Sequence, residues 1–410
     1  MRRVAWGLLV LLAFAIPWQY SMDLGEPLGN VARILGLLLL LVAIPAVLQA
    51  GRVRTPGAIQ WLALALYLWF CCSCFWTIEP LDTLVKMRGY FQELMIVWLV
   101  WEFAESPEDL RSLMSAYVAG ACVLAALTLA SFGTEQPLGS GYMRLAAAGQ
   151  DPNDTARFLD LGFPFAALLI RCEGRWHWRL LYLAYLPLGL IAVVLTASRG
   201  GMLAALAALA GCALLLIPHS TRGMLAAMAA LPAIAAALWI AIPAETVHRL
   251  GTIPSQLRGG DLNQRWNIWH AGWSAFVRAP LLGTGAGSFA GAAQLNPLDT
   301  AHNTVLSIAV GGGLCAVLLV LAIAALAVNS ALATRGPLRG AIITALLVWG
   351  IVSLVSTVEE SRATWLLLGM LAVAGRVSHG TPRRCDVCFS GGSALPTNSP
   401  ASTPAPGMAG

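Results

Sequence analysis

Three side chains stand where their type and setting could do chemistry: Arg199, Arg265 and His302. Arg199 lies in Thr196-Ala197-Ser198-Arg199-Gly200-Gly201, a turn between two strongly apolar runs. The glycine pair is expected to permit so short a turn. A guanidinium at a membrane surface needs a partner, and its fork matches phosphate oxygens two at a time. Its other common use is as a topology anchor reaching for lipid head groups. Arg265 opens a segment in which Trp266, Trp269, Trp273 and Phe276 recur at three- and four-residue spacing, one aromatic face of a helix. Such a helix lies in the membrane interface with its rings at head-group depth. Arg265 is then near the surface, free to bind an anion or to pair with Asp261. His302 sits in Ala301-His302-Asn303, where a polar interval meets the next apolar run. An imidazole with an ordinary pKa of about 6.5 is mostly neutral near pH 7, and nearby arginines favour the free base further. A neutral imidazole can take a proton from a hydroxyl. A capping or interfacial role is the alternative, and His248 and His270 share the same interval.

Other residues extend or limit this chemistry. Lys86 and Arg88 interrupt an apolar run together with Glu93. Charges inside a span are costly and usually functional, so Arg88, ahead of Lys86, is a further candidate cation, although either could pair with Glu93. Glu359 and Glu360 are adjacent and on a helix would point apart, which disfavours retaining hydrolysis by two facing carboxylates. No Asp-x-Asp string is present to bring a divalent metal to a diphosphate. The glycine-rich string Pro280 to Gly287 lacks the Lys-Ser/Thr pair of a phosphate loop and reads as tight packing. Cys385 and Cys388 form one C-x-x-C where a zinc ribbon needs two. No metal and no cofactor are expected, and no basic stripe with interleaved aromatics suggests nucleic acid.

The elements that must hold these residues are membrane helices. The chain has 410 residues, 58% hydrophobic and only 11% charged, with mean hydropathy +0.73, against roughly 25% charged in soluble domains. Apolar runs suggest about twelve spans, near residues 4–19, 30–50, 57–75, 83–103, 110–132, 154–170, 178–196, 201–217, 223–243, 303–328, 339–356 and 362–376. Alternate connectors carry the arginines: Arg2 and Arg3, Arg52 and Arg54, Arg111, Arg171 to Arg179, Arg222, Arg335 and Arg339, then Arg376 to Arg384. The positive-inside rule puts these in the cytoplasm with both termini, and puts the Arg199 turn, the 133–153 loop and the long polar interval outside. ATP and nucleotide sugars are not available there. The expected division is 1–243 for spans one to nine, 244–302 for an outer loop with interfacial helices, 303–376 for spans ten to twelve, and 377–410 for a cytoplasmic tail. That tail, rich in Ser, Pro and Gly, is expected to be disordered. Arg2-Arg3 before an apolar run resembles a signal peptide but lacks a small-residue cleavage site, so it reads as the first span.

With these residues in place, the chain resembles the O-antigen ligase and polymerase family. The resemblance rests on Ser198-Arg199-Gly200 after an apolar span, the Arg265-Trp266 helix, Pro280-x-x-Gly283-x-Gly285, and His302-Asn303 at the next span. Asp151-Pro152-Asn153-Asp154 and the stretch from Trp76 to Pro80 add to it. It implies an all-α polytopic glycosyltransferase of the GT-C type in the bacterial inner membrane, with a periplasmic site. The donor would be an undecaprenyl-diphosphate-linked glycan, and for ligases the acceptor is the lipid A core oligosaccharide. By resemblance Arg199 and Arg265 hold the diphosphate, with Arg88 a further candidate, and His302 activates the acceptor hydroxyl. Asn303, Asn153 and Asp154 would touch the acceptor or support the site. Polymerases and protein O-oligosaccharyltransferases share the motifs, so the acceptor stays open. A polytopic transporter is the rival from another class, although no related halves are visible.

Overall fold

The computed structural model describes residues 1–25, 28–131, 144–216, 244–260 and 264–380. Among these the extended structure is helical: α1 (Arg2–Ala15), α2 (Val31–Ala50), α3 (Ala58–Cys72), α4 (Pro80–Phe103), α5 (Pro107–Ala130), α6 (Pro152–Cys172), α7 (Trp176–Leu195) and α8 (Arg199–Leu216). Three shorter helices follow, α9 (Ala244–Gly251), α10 (Ile253–Gly259) and α11 (Arg265–Arg278), then α12 (Phe289–Ala293). The chain closes with α13 (Thr304–Ala333), α14 (Gly336–Val355) and α15 (Arg362–Gly380). Eleven of the expected spans coincide with long helices, and eight of these are long and apolar enough to cross a membrane. The span expected at 223–243 lies outside the described residues, as do Asp261, most of the 133–153 loop, and the tail with Cys385 and Cys388.

The three long helices outside that eight are α4, α6 and α15. Their polarity has a use. Helix α6 carries Asp154, Arg157 and Asp160 yet is buried almost from end to end, packed among α5, α7, α8 and α14. Charges inside a membrane protein belong in the bundle interior rather than against lipid, so the hydropathy signal is weakest where the helix is most central. By contrast α8 exposes Leu206 and Leu214 on one side and packs Ala204, Ala205 and Ala208 on the other. Small residues let helices approach closely, and a Cβ on Gly211 would come within 2.2 Å of Thr344 Oγ1 on α14.

Helix α13 is broken rather than continuous. Gly313 has φ 65°, ψ −166°, a left-handed conformation that suits glycine. A break frees carbonyls that lipid cannot satisfy. The glycine-rich strap at 280–285 does so instead. Thr284 N donates to Val310 O at 2.8 Å and Gly285 N to Gly311 O at 2.9 Å, while Leu314 N donates to Pro280 O at 2.8 Å. Trp69 Nε1 donates to Gly312 O at 2.8 Å. Gly285 (φ 105°) leaves no room for a side chain, since a Cβ would lie 2.2 Å from Thr77 Oγ1. The strap therefore packs tightly, as its composition suggested, and it fixes the first turns of α13, which begin next to His302.

Candidate active site

Arg199, Arg265 and His302, far apart in sequence, line one cavity of about 510 Å³. Asn153 joins them. The wall also carries Asp151 and Trp269, together with Arg144, Arg249 and Gln256, which the sequence reading did not single out. Four guanidinium groups thus face one carboxylate.

Each cation is held by a specific piece of the fold. The turn between α7 and α8 puts Arg199 at the first position of α8. The left-handed residue of that turn is Ala197 (φ 49°), not a glycine. Gly200 and Gly201 serve close packing instead: Cβ atoms there would meet Val355 Cγ2 at 2.7 Å and Ala156 Cβ at 2.4 Å. Arg199 Nη2 donates to Thr252 Oγ1 at 2.7 Å, while its buried Nε has no partner. Arg144 Nη2 and Ser198 Oγ both donate to Asn153 Oδ1, each at 2.9 Å. Asn153 thereby ties the loop before α6 to the Arg199 turn. Arg265 begins α11 directly after Gln264, at φ 65°. His302 itself has φ 45°. Non-glycine residues with positive φ are uncommon and gather at functional sites. Among the described residues there are four, and three of them are His302 and the residues flanking the Arg199 and Arg265 motifs.

The electrostatics follow from this crowding. Burial, then the neighbouring Arg249, pushes the Arg144 pKa down to about 10. Arg265 is lowered by burial and by Arg199. His302 is pushed below its ordinary 6.5 by burial and then by Arg265. It is therefore the free base at neutral pH. Its Nδ1 lies 3.4 Å from Thr300 Oγ1. Such a set, four guanidinium groups against one carboxylate beside a neutral base, can accept a dianionic leaving group and a proton at the same time.

The other site candidates have different placements. Asn303 caps α13, with Oδ1 accepting from Leu306 N at 2.9 Å and Nδ2 donating to Leu354 O at 3.2 Å. It is a support. Asp154 pairs with Arg157 at 3.0 Å and does not line the cavity. Arg88 does not join the other arginines: it lines a separate cavity with Arg33, Gln92 and Arg362. Lys86, two residues before it, pairs with Glu360 rather than Glu93. Two residues span about 200° on a helix, so the two cations face opposite sides of α4. The aromatic face of α11 also divides. Trp266 and Trp273 are exposed, whereas Trp269 turns inward and donates to Ala301 O at 3.0 Å.

The fold and the site together define a polytopic helical membrane protein with a basic, histidine-bearing cavity at one end of its bundle. Residues 184–321 match the family model described as O-Antigen ligase. This stretch, about a third of the chain, is thus similar to that family. It covers Arg199, Arg265 and His302 and stops short of Arg144, Asp151 and Asn153. A comparison with curated proteins finds no match.

Proposed function

We propose that the protein transfers a glycan from undecaprenyl diphosphate to the lipid A core oligosaccharide, on the periplasmic side of the inner membrane. The observation that supports this is the convergence of Arg199, Arg265 and His302 on one cavity with two further arginines. In the step, an acceptor hydroxyl oxygen bonds to the anomeric carbon from the face opposite the diphosphate. The carbon–oxygen bond to the diphosphate breaks, and its electron pair stays on the leaving phosphate. The hydroxyl proton passes to His302. The configuration inverts, and no metal takes part. The guanidinium groups of Arg199 and Arg265, with Arg144 and Arg249, stabilise the charge growing on the leaving group, commonly the largest effect in such sites. Diphosphate leaves without a dedicated acid. The bundle is of the GT-C type, and its apolar flanks hold the polyprenyl chain.

The experiment is reconstitution in vesicles with lipid-linked glycan and, separately, lipid A core, a second lipid-linked glycan and a pilin-like protein. Transfer to lipid A core is expected. Product only with the second glycan assigns a polymerase, and product only with protein assigns an oligosaccharyltransferase. Near-normal product from Arg199→Ala or His302→Ala would refute the site.

A further inference from the structure

A second cavity, of about 360 Å³, lies on the other side of the loop that carries His302. The two share that loop as a wall: Asp299, Thr300 and Ala301 line the second cavity and His302 lines the first. Thr300 connects them, since its hydroxyl faces His302 Nδ1, and Trp269 holds the loop by its bond to Ala301 O. The second cavity has the opposite charge. Glu79, Asp82, Asp299 and Glu360 line it against the single cation Lys86, which Glu360 already engages. A diphosphate is therefore repelled from it.

Its lining is neither a metal site nor a lipid slot. Among the described residues no three of the His, Cys, Asp or Glu side chains gather closely enough to hold a metal ion. Carboxylates accept hydrogen bonds from hydroxyl and ammonium groups, and Phe70, Tyr90 and Phe289 supply apolar ring surface within the same wall. Unused acceptors are present as well. Thr357 Oγ1, on the wall, is buried without a hydrogen-bond partner. So is Glu359 Oε2, on a residue only 7% exposed. Glu359 faces an adjoining apolar pocket that shares Phe70, Tyr90 and Ile308 with the acidic cavity. Aromatic surface combined with several convergent acceptors suits a polyhydroxylated ligand.

We propose that this acidic cavity is the acceptor's sugar site, and that it selects a neutral or amine-bearing saccharide over a phosphorylated one. The inference rests on the transferase reading for its purpose. In that frame the donor diphosphate occupies the basic cavity, and the acceptor's terminal hydroxyl meets His302 past Thr300, where the two cavities adjoin. The opposite charges keep each substrate out of the other's place.

The test is a binding measurement that does not depend on turnover. Full-length protein in nanodiscs, without donor, is titrated with a neutral hexose tetrasaccharide, the same chain bearing one amino sugar, and the same chain bearing one phosphate. The first two should bind and the third should bind at least tenfold more weakly. Glu79→Gln with Asp82→Asn should weaken the amino sugar by roughly tenfold, the scale of charged hydrogen bonds. Ala290→Trp, which fills the cavity without changing charge, should abolish binding of both. In both variants the affinity for a lipid diphosphate should stay at the wild-type value, which also shows that they fold. Binding unmoved by these changes but lost in Arg249→Ala, or preference for the phosphorylated chain, overturns the inference while leaving the transferase reading intact. Sugar binding as expected, with no transfer to any acceptor, would instead sink the transferase reading and keep the sugar site.

Discussion

The two ends of the helix bundle use arginine in opposite ways. At the end away from the cavity, Arg2 lies 3.0 Å from Glu102, and Arg2 and Arg54 each lie 3.1 Å from Glu105. Arg54 Nη1 and Arg376 also donate to the final carbonyls of α4, at Trp101 and Ala104. Arg376 lies over the Trp101 ring at 4.5 Å, and Arg171 donates to Leu215 O at 2.8 Å near the end of α8. These guanidinium groups neutralise carboxylates and the exposed carbonyls of helix C-termini. At the cavity end Arg199 keeps its Nε unpartnered, and burial and the nearby Arg199 push the Arg265 pKa down. A count of arginines would not separate the two ends. What separates them is how much anion the protein itself supplies. Around the cavity four guanidinium groups share the single carboxylate of Asp151, so mutual repulsion between cations remains for an anionic ligand to relieve.

The comparison breaks most visibly at His302. His302→Ala should lower kcat by about 10²–10⁴, the usual contribution of a general base, with the protein still inserted. Arg199→Ala and Arg265→Ala should each cost about 10²–10³ in kcat, the scale of one removed transition-state donor. Arg54→Ala at the other end should leave the specific rate unchanged and cost about 1–2 kcal/mol of stability through lost bonds to helix-terminal carbonyls. Rates in vesicles and thermal melts of the same preparations check all four. Equal rate losses at both ends would erase the distinction.

The strap gives an intermediate case, structural in kind but close to the site. Gly285→Ala places a methyl against Thr77 in a conformation that disfavours side chains. It should destabilise the protein by about 1–3 kcal/mol and lower transfer, because the strap fixes the broken α13 behind His302. An unchanged melting temperature would show that the break does not depend on the strap.

The pH dependence sharpens the same contrast. His302 acts only as the free base, and its pKa lies below 6.5 because of burial and then Arg265. Protonation as the pH falls through that pKa should remove activity on an acidic limb. Removing the Arg265 charge makes the imidazolium less unfavourable, so the limb of Arg265→Ala should move to higher pH. Arg54→Ala, remote from the imidazole, should leave the limb in place. A limb that moves down in Arg265→Ala would show that His302 is not the titrating base.

How much of this was legible in the sequence varied with the kind of signal. The helices, the tight packing of 280–287 and the position of Arg199 and His302 beside apolar runs were readable, because apolar period and placement at span ends are local properties. Arg144 and Arg249 were missed, because only the fold brings these separate segments beside Arg199. Arg88 was expected at the site because its depth along α4 can be read from spacing. The side of α4 it faces depends on which neighbours pack there, and Lys86 takes the inward side. Trp269 was grouped with the interfacial rings for the same reason: spacing gives a stripe, and only packing tells which of its edges turns inward. The acidic cavity had no sequence signal. Glu79, Asp82, Asp299 and Glu360 come from three separate segments, and Glu359-Glu360 was weighed as a helical pair whereas it lies in the turn between α14 and α15.

The smallest effect is expected at two threonines, one at each end. Thr334 Oγ1 donates to Ala331 O at 2.6 Å and closes the C-terminus of α13. Thr300 Oγ1 lies 3.4 Å from His302 Nδ1, a long contact by hydrogen-bond standards. Thr334→Val should therefore change stability and leave kcat alone. Thr300→Val should leave stability alone and lower kcat roughly two- to fivefold, the equivalent of about 0.5–1 kcal/mol for a weak neutral bond, with Thr300→Ser restoring it. Full activity in Thr300→Val would mean that the loop backbone, held by Trp269, orients the imidazole without help from the hydroxyl. A loss approaching that of His302→Ala would instead place Thr300 in the proton's path and make the hydroxyl itself part of the chemistry.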